Sequence, residues 1–240
     1  TKYWRMLSFA EALPRVRERV GRDLARPGLP KKKVVAVVVN LLERTLVRVG
    51  NREYARTNKS FGLTTLRDRH ATIRGSRVAF SFRGKSGVTH RVELTDRRLA
   101  RILRQCREIP GQELFQYVDE SGARCAIDSG DVNDYLREAA GEEFSAKDFR
   151  TWAGTVLAAA ALRDMGCCET EAEAKRNVCR AIEQVAARLG NTPAVCRKCY
   201  VHPEIVAAYL EGVTIEAGED DEAAVVALLA ARLRRQARAA

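Results

Sequence analysis

Four side chains stand out by their sequence context: Arg48, Lys85, Arg150 and Tyr200. The guanidinium group of arginine is planar and permanently charged, so it suits bidentate hydrogen bonding to an oxyanion such as phosphate. Arg150 also lies in the first turn of a predicted helix, where free backbone N–H groups and the helix dipole attract anions. Taken singly, each residue has a simpler interpretation: a solvated arginine, a lysine that maintains solubility, or a tyrosine packed at a helix end.

The helix that carries Arg150 is predicted over residues 146–165. Ser145 and Asp148 fit the capping pattern, in which a hydroxyl accepts a bond from a free backbone N–H and an acid lies in the first turn. The apolar spacing leaves Arg150 at the edge of the buried stripe. The residues expected in that stripe are Phe149, Trp152, Ala153, Val156, Leu157 and Ala160.

Tyr200 is predicted at the end of a short helix. A long helix over residues 170–189 comes first. Thr192 is then a natural N-cap and Pro193 a natural first helical residue. His202-Pro203 stops the new helix directly after Tyr200.

Lys85 is predicted at the tip of a β-hairpin within residues 71–94. Apolar residues alternate with small or polar ones on both sides of the turn Gly84-Lys85-Ser86-Gly87, which is the period of a strand. Thr72-Ile73-Arg74 is predicted as a third strand.

The rest of the chain is predicted to be mainly helical. Residues 34–49 are rich in valine, which favours a strand, but their length and apolar spacing favour a buried helix. The other predictions are a helix over 7–25 interrupted at Pro14, helices over 96–107, 129–139 and 203–211, a strand fragment at Phe115–Tyr117, and a tail helix after the acidic residues 218–222. The expected fold class is therefore mainly α, with one small antiparallel sheet.

Composition and charge favour a soluble protein that binds a polyanion. The 240 residues allow one sizeable core or two modest lobes. The 42 basic and 31 acidic residues give a net charge of +11, which attracts nucleic acid. Arginine greatly outnumbers lysine, as phosphate binding favours, although a GC-rich genome would produce the same bias. We expect no membrane segment, because no apolar run is long enough.

Seven irregularly spaced cysteines do not form a disulfide framework, so we expect a reducing, cytoplasmic environment. A zinc site was considered at Cys196, Cys199 and His202, with Cys167-Cys168 as further ligands. Structural zinc sites use two well-spaced ligand pairs, which adjacent cysteines do not provide. We therefore expect no metal.

Five short motifs, taken together and in this order, resemble the type IB DNA topoisomerases of the poxvirus and bacterial kind. The resemblance covers roughly residues 1–212. The motifs are R-x-G-x-x-x-Y at Arg48–Tyr54, G-L-x-T-L at Gly62–Leu66, G-K at Gly84-Lys85, K-D-x-R-T at Lys147–Thr151, and T-P-A followed by tyrosine at Thr192–Tyr200.

This resemblance implies a helical catalytic fold like that of tyrosine recombinases, and it implies roles for single residues. Tyr200 would attack a phosphodiester and form a 3′-phosphotyrosyl intermediate, while Lys85 would protonate the leaving oxygen as a general acid. Arg48 and Arg150 would stabilise negative charge, so neither metal nor ATP is required. Asn191 stands where poxvirus enzymes have histidine, and its amide can donate a hydrogen bond to phosphate but cannot be protonated.

The resemblance also implies duplex DNA as the partner of a monomeric protein associated with the nucleoid. Residues 1–212 would be the catalytic domain and 213–240 an acidic linker with a tail helix. The chain opens at Thr1, so we expect a fragment that lacks the N-terminal β-rich clamp domain of the family. The residues expected to bind DNA are Arg52, Tyr54, Lys147, Arg197 and Lys198.

Two other functions remain open at this stage. Tyrosine recombinases share the same set of Arg, Lys and Tyr residues, but they usually carry an H-x-x-R block where this chain has Lys147-Asp148-Phe149-Arg150. A basic helical DNA-binding module without catalytic activity would also explain the composition.

Overall fold

The computed structural model describes residues 4–141 and 143–239, and it is mainly helical with two small antiparallel sheets. The helices are α1 (Trp4–Leu24), α2 (Lys31–Thr45), α3 (Arg52–Asn58), α4 (Arg97–Glu108), α5 (Ser129–Ala140), α6 (Ala146–Met165), α7 (Glu171–Leu189), α8 (Pro193–Cys199), α9 (Pro203–Leu210) and α10 (Asp221–Ala239). The strands are β1 (Ala71–Arg74), β2 (Arg77–Arg83), β3 (Thr89–Thr95), β4 (Gln116–Val118) and β5 (Arg124–Ala126). The predicted fold class is confirmed. Among the described helices, none is apolar over a length that could cross a membrane.

Two expectations about elements were wrong and two elements were missed. Pro14 lies inside a continuous α1 and does not interrupt it. The valine-rich helix ends at Thr45 instead of continuing to Val49, because Leu46 adopts the left-handed conformation with φ 58°. The missed elements are α3 and β5; β5 pairs with the predicted strand fragment, β4.

The chain forms two compact units. The first unit is residues 14–146, and its centre is α2, in which every residue from Lys33 to Val39 is buried. A helix buried on all sides accepts a run of valines because packing outweighs their weak helix propensity. The sheet of this unit has the order β1-β2-β3, and β2 buries Val78, Phe80 and Phe82 on one face.

The second unit contains the residues before Pro14 and after Ala146. Phe149 and Trp152 of α6 are buried as predicted, and α7 and α10 contribute further apolar side chains. Four predictions for α6 were wrong, because its buried face is rotated toward Thr151, Thr155 and Ala159. The side chains that are only partly buried are Ala153, Val156, Leu157 and Ala160.

The tail helix α10 packs within this second unit. Val225 and Leu229 are fully buried, and the indole Nε1 of Trp152 donates a hydrogen bond of 3.0 Å to Glu222. Arg232 binds Glu204 of α9 and also Glu211, with N–O distances of 2.7 and 2.8 Å. These contacts join α10 to the helix that follows Tyr200.

A buried carboxylate, Asp23, joins α1 to α5 in the first unit. Its side chain accepts a hydrogen bond of 2.8 Å from the Tyr135 hydroxyl and also binds Arg26 and Arg19. Burial alone would raise the pKa of Asp23, but the bonds from Arg26 and Tyr135 and the two positive charges outweigh it, and the pKa is lowered. The folded state therefore favours the charged form.

We predict that Tyr135→Phe lowers the free energy of unfolding by about 1.5–3 kcal/mol, the range for a hydrogen bond to a charged group. The loss should be fully present above the unfolded-state pKa of about 3.9 and should fade as the pH falls through the lower folded-state pKa. Urea denaturation at several pH values measures both effects. The exposed Tyr54→Phe is the matched control and should stay within about 0.5 kcal/mol; equal stability of the two variants would contradict the assigned hydrogen bond.

Candidate active site

Tyr200 lies between two short helices, as predicted. The Thr192 hydroxyl accepts a hydrogen bond of 3.4 Å from Val195 N–H, and Pro193 is the first residue of α8. The N–H of Tyr200 donates to Cys196 O at 2.9 Å, which closes the last turn of α8. His202 then caps α9 through its Nδ1, which accepts from Glu204 N–H at 3.1 Å. Tyr200 is thus held at the end of α8, in the short connection to α9.

Helix α6 fixes the backbone at Tyr200 and just after it. A Cβ atom at Gly154 would lie 2.5 Å from the Tyr200 carbonyl oxygen and 3.2 Å from the Tyr200 Cβ, so only glycine allows this approach. The buried Thr155 hydroxyl accepts a hydrogen bond of 3.1 Å from His202 N–H and donates one of 2.8 Å to Thr151 O. Two consecutive residues of α6 therefore determine where the Tyr200 segment lies.

Arg150 contacts the Tyr200 ring within the same unit. Its guanidinium carbon is 5.0 Å from the ring centroid, a distance typical of a cation–π interaction. The prediction that Arg150 lies at the edge of the buried stripe was wrong, because the residue is only 3% exposed. It belongs to the rotated buried face of α6, beside Thr151.

The C-terminal end of α7 receives the Arg150 guanidinium. Nη2 donates a hydrogen bond of 2.8 Å to the carbonyl oxygen of Leu189, the last residue of α7. A helix C-terminus carries partial negative charge, which favours a cation there. Gly190 ends the helix in the left-handed conformation, and Asn191 N–H donates to Ala186 O at 2.9 Å. Asn191 therefore follows directly after the turn that anchors Arg150.

Cys196 lies one turn before Tyr200 and is buried. Burial raises the pKa of its thiol to about 11, although the nearby charge of Arg150 lowers it. The thiol is therefore mostly protonated near neutral pH, which makes it a weak nucleophile. Among the residues that the structure describes, no three His, Cys, Asp or Glu side chains cluster closely enough to hold a metal ion.

In the first unit, the segment Gly62–Leu66 holds the backbone around Arg48. Leu63 N–H donates to Arg48 O at 2.9 Å, and Thr64 binds Val49 O through both its N–H and its hydroxyl, at 2.7 and 2.9 Å. A Cβ atom at Gly62 would lie 2.5 Å from Arg48 O and from Gly50 N. Glycine is therefore required at position 62, and this motif serves to hold the chain that carries Arg48.

The same segment leads to the hairpin that carries Lys85. Phe61 N–H donates to Arg83 O at 2.8 Å, at the last residue of β2, and Gly84 N–H donates to Val88 O at 2.7 Å. The His90 ring occupies the space where a side chain at position 84 would project, so a larger residue there would displace that ring. Lys85 is exposed at the tip of the hairpin, as predicted.

Lys85 meets a residue of the missed helix α3. Its Nζ lies 5.9 Å from the centroid of the Tyr54 ring, which is itself 51% exposed. Asn51 caps α3, since its side-chain oxygen accepts a hydrogen bond of 3.1 Å from Tyr54 N–H. Two parts of the first unit, the R-x-G-x-x-x-Y segment and the hairpin tip, are thereby brought together through Tyr54 and Lys85.

The remaining residues expected to bind DNA lie on the surface of their own units. Arg52 is exposed, and its Nη2 donates to Ala126 O at 3.1 Å. Lys147 is exposed in the first turn of α6, and Arg197 and Lys198 are exposed in the last turn of α8.

Sequence reasoning missed the residues that position the candidate site: Gly154, Thr155, Phe61 and Asn51. One of them carried a readable signal, because an isolated glycine inside a strongly helical stretch often marks close packing. Phe61 and Thr155 act through contacts with residues distant in sequence, so no local pattern reveals them.

Comparison with known proteins gives two findings. The sequence pattern of a family described as "Eukaryotic DNA topoisomerase I, catalytic core" matches residues 1–224. The chain is also 32% identical over 209 residues to DNA topoisomerase 1B of Acanthamoeba polyphaga mimivirus, a match that covers 83% of this chain and 62% of that relative. The chain thus spans less than two thirds of the length of the curated relative it matches.

Helix propensity alone predicts that replacing a helical glycine with alanine stabilises the protein, but the contact at Gly154 predicts the opposite. Gly154→Ala should lower the free energy of unfolding by about 1–3 kcal/mol, the range for overpacking, because the new methyl group meets the Tyr200 carbonyl. Gly21→Ala is the matched control: it is an exposed helical glycine with no atom within 4 Å of the added Cβ. That variant should instead gain up to about 1 kcal/mol. Urea denaturation of both variants measures the two free energies of unfolding. A Gly154→Ala protein as stable as Gly21→Ala would refute the close approach of α6 to the Tyr200 carbonyl oxygen.

Proposed function

Because this chain belongs to the family of the eukaryotic DNA topoisomerase I catalytic core, we propose that it is the catalytic part of a type IB topoisomerase. Such an enzyme relaxes supercoiled duplex DNA by cutting one strand and resealing it. The observation that carries the proposal is the contact between the Tyr200 ring and the buried guanidinium of Arg150, 5.0 Å apart, beside the anion-attracting first turn of α6. A tyrosine that serves only in packing has no need of a buried cation.

In the proposed reaction, the Tyr200 oxygen attacks the phosphorus atom of a phosphodiester. A bond forms between this oxygen and phosphorus as the Tyr200 hydroxyl gives up its proton. The bond from phosphorus to the 5′-oxygen breaks, and the 5′-oxygen takes up a proton, so one proton is lost and one is gained. The product is a 3′-phosphotyrosyl ester and a free 5′-hydroxyl. Since the ester retains the energy of the broken bond, the reverse attack reseals the strand without ATP.

Negative charge grows on the nonbridging oxygens during this attack, and fixed positive groups stabilise it. We assign this role to Arg48 and Arg150, and we assign a hydrogen bond to phosphate to the Asn191 amide. Arg150 needs little reorganisation, because α7 already holds its guanidinium through Leu189 O. The two guanidinium groups take the role that a metal ion has in other phosphoryl-transfer enzymes, so the proposed reaction uses no metal.

The leaving 5′-oxygen requires a proton donor, and we assign that role to Lys85. An exposed hairpin tip leaves the ammonium group free to reach the leaving oxygen, and the amine takes the proton back from the 5′-hydroxyl when the strand is resealed. The hydrogen bond from Phe61 to Arg83 holds the hairpin base to the segment that carries Arg48.

Duplex DNA is the proposed substrate, and the net charge of +11 supports attraction to its phosphates. The residues proposed to contact it are Arg52, Tyr54, Lys147, Arg197 and Lys198, all exposed. We propose that the enzyme acts as a monomer. We also propose a reducing, cytoplasmic setting, which the irregular spacing of the seven cysteines supports. We also propose that residues 1–212 are the catalytic domain and that 213–240 are an acidic linker with a tail helix, α10, which packs within the second unit.

The first functional prediction concerns the nucleophile. Tyr200→Phe keeps the ring and its contact with Arg150 but removes the attacking oxygen. The covalent adduct with a suicide duplex, incubated in EDTA and resolved on a denaturing gel, should vanish while noncovalent DNA binding persists. Tyr117→Phe is the matched control, since Tyr117 lies outside the proposed site, and it should form the adduct at the parental rate.

An adduct that survives in Tyr200→Phe would remove the nucleophile assignment. A plasmid assay with the parent protein separates the enzyme classes: relaxation without joining of separate sites supports a topoisomerase, whereas site-to-site joining would identify a recombinase. No adduct and no relaxation would indicate a DNA-binding module without catalytic activity.

The second functional prediction distinguishes the proposed general acid, Lys85, from Arg150, which is proposed to stabilise negative charge. Lys85→Ala should slow cleavage of the normal duplex by about 10²–10⁴-fold, the range for a lost general acid. Replacing the bridging 5′-oxygen with sulfur creates a leaving group that needs no proton, so the same variant should cleave that substrate almost at the parental rate. Arg150→Ala should remain at least about 10²-fold slow on both substrates, because it loses charge stabilisation.

Single-turnover cleavage of the two substrates by both variants gives the answer. A Lys85→Ala defect that sulfur does not rescue would show that Lys85 contacts DNA without donating the proton. A cleavage rate close to that of the parent protein on both substrates would indicate that Lys85 is a solvated hairpin lysine without a catalytic role.

A further inference from the structure

The tail helix α10 is anchored on α6, the helix that contacts Tyr200. Near the beginning of α10, the carboxylate of Glu222 accepts a hydrogen bond of 3.0 Å from the Trp152 indole of α6. Asp221, the first residue of α10, forms an ion pair with Arg163 of the same helix. The helix that follows the five motifs in sequence is therefore attached to the helix that meets the Tyr200 backbone and ring.

Farther along α10, Arg232 binds carboxylates at both ends of α9. Its Nε donates a hydrogen bond of 2.7 Å to Glu204, which lies in the first turn of α9. Its Nη1 and Nη2 donate to the two carboxylate oxygens of Glu211, each at 2.8 Å, and Glu211 directly follows the last residue of α9. One guanidinium group thus contacts α9 at its beginning and at its end.

These contacts of Arg232 are largely shielded from water. The Arg232 side chain is 13% exposed and that of Glu204 is 16% exposed, whereas Glu211 lies more openly. An exposed ion pair has little influence on structure, but a shielded guanidinium with a bidentate partner has a defined geometry. The hydrogen bonds to Glu211 and Glu204 also raise the pKa of Arg232 above its ordinary value. The contact between α10 and α9 is therefore specific and permanently charged.

Glu204 connects Arg232 to the segment that contains Tyr200. The backbone N–H of Glu204 donates to His202 Nδ1 at 3.1 Å, and the His202 N–H donates to Thr155 of α6 at 3.1 Å. Arg232 therefore binds the side chain of a residue whose backbone is bonded to the chain directly after Tyr200. Because Tyr200 lies so close to the beginning of α9, a shift of α9 also shifts the tyrosine.

We propose that Arg232 is a positioning residue for the nucleophile: by binding Glu204 and Glu211, it holds α9 so that the Tyr200 oxygen can attack phosphorus. This inference rests on the proposed function, since it takes Tyr200 as the nucleophile. Arg232 acts through α9 and has no chemical step of its own. A displaced nucleophile attacks more slowly, because the rate depends steeply on the separation and alignment of the reacting atoms.

Single-turnover formation of the covalent adduct tests the proposal, with the suicide duplex in excess and at a temperature where denaturation curves show each protein to be folded. Arg232→Ala should form the adduct at least about tenfold more slowly than the parent, as expected when the reacting group is slightly misplaced. The final amount of adduct per protein molecule should equal that of the parent. A role in stability alone predicts the reverse, because unfolded molecules reduce the amount while folded molecules react at the parental rate.

Two further variants show whether the geometry of the contact matters. Arg232→Lys keeps the charge but cannot offer a planar fork to two carboxylates, so its rate should lie between those of the parent and Arg232→Ala. Arg234→Ala is the matched control, because Arg234 is exposed on the same helix and its Nε donates to Ala230 O of that helix. The control should react at the parental rate. Noncovalent binding of the duplex by Arg232→Ala should be unchanged.

Hydrogen–deuterium exchange provides a measurement that does not depend on catalysis. In Arg232→Ala, the peptide that covers residues 199–206 should exchange faster than in the parent, whereas the peptides of α7 should be unchanged, since a lost contact increases local opening. If Arg232→Ala does not fold, Glu211→Gln is used in its place. This variant leaves the bond between Arg232 and Glu204 intact, so it should show both effects to a smaller degree.

Two results would overturn the proposal while leaving Tyr200 as the nucleophile. One is adduct formation by Arg232→Ala at the parental rate, with or without a loss in the amount formed. The other is unchanged exchange in the peptide that contains Tyr200. A parent protein that forms no adduct at all would overturn the proposed function, and this inference with it.

Discussion

The position of Tyr200 depends on the missing side chain at Gly154. Helix α6 approaches the Tyr200 carbonyl so closely that a Cβ atom would lie 2.5 Å from the oxygen, and the next residue, Thr155, binds His202 N–H. One turn earlier, the same helix places Arg150 against the tyrosine ring. The same helix therefore supplies both the contact that places the Tyr200 backbone and the cation that meets the Tyr200 ring, and the hydrogen bond to Leu189 O holds that cation in place.

A second glycine has the corresponding role in the other unit. Because Gly62 has no side chain, its backbone can lie against Arg48 O and Gly50 N. The N–H of the neighbouring Phe61 donates a hydrogen bond to Arg83 O at the end of β2. The chain around Arg48 and the base of the hairpin with Lys85 are therefore held by consecutive residues. In both units, a contact between backbones that only glycine permits sets the place of a proposed catalytic group. Gly62 thus has a structural reason to be part of the motif Gly62–Leu66, whereas Gly154 lies outside the five motifs and has the same kind of role.

The sequence predicted the positions of most helices and strands well, but it predicted less well which of their side chains are buried. Periodicity identified the hairpin, the long helices and the short helix before Tyr200, because each has a strong local pattern and clear boundary residues such as Thr192 and Pro193. It missed α3, which is short and has no buried residue to produce a pattern. It also predicted the buried face of α6 only in part, since Phe149 and Trp152 are buried but four other expected side chains are only partly buried. Alanine-rich helices have little amphipathic contrast, so apolar spacing could not locate the buried face that includes Arg150.

The resemblance to a known family identified the candidate residues, but it did not explain why some of them are buried and others are exposed. The physical differences between Arg150 and Lys85 supply a reason. Burying a guanidinium group has a substantial desolvation cost, which here is offset by Leu189 O at the negative end of α7 and by the Tyr200 ring. A group that stabilises developing charge gains from such fixed placement, since it does not reorganise during the reaction.

A proton donor has a different requirement, because it must reach the leaving oxygen during cleavage and accept the proton back from the 5′-hydroxyl during resealing. Lys85 meets this requirement at an exposed tip, where the Tyr54 ring provides only a weak cation–π contact. The exposed ammonium group can move toward a leaving oxygen and return, whereas the buried guanidinium group cannot move far. The two cations therefore differ in burial in the way that the two proposed roles require. Exchanging the two side chains would leave the overall charge unchanged but would place each cation where its proposed chemistry is least effective.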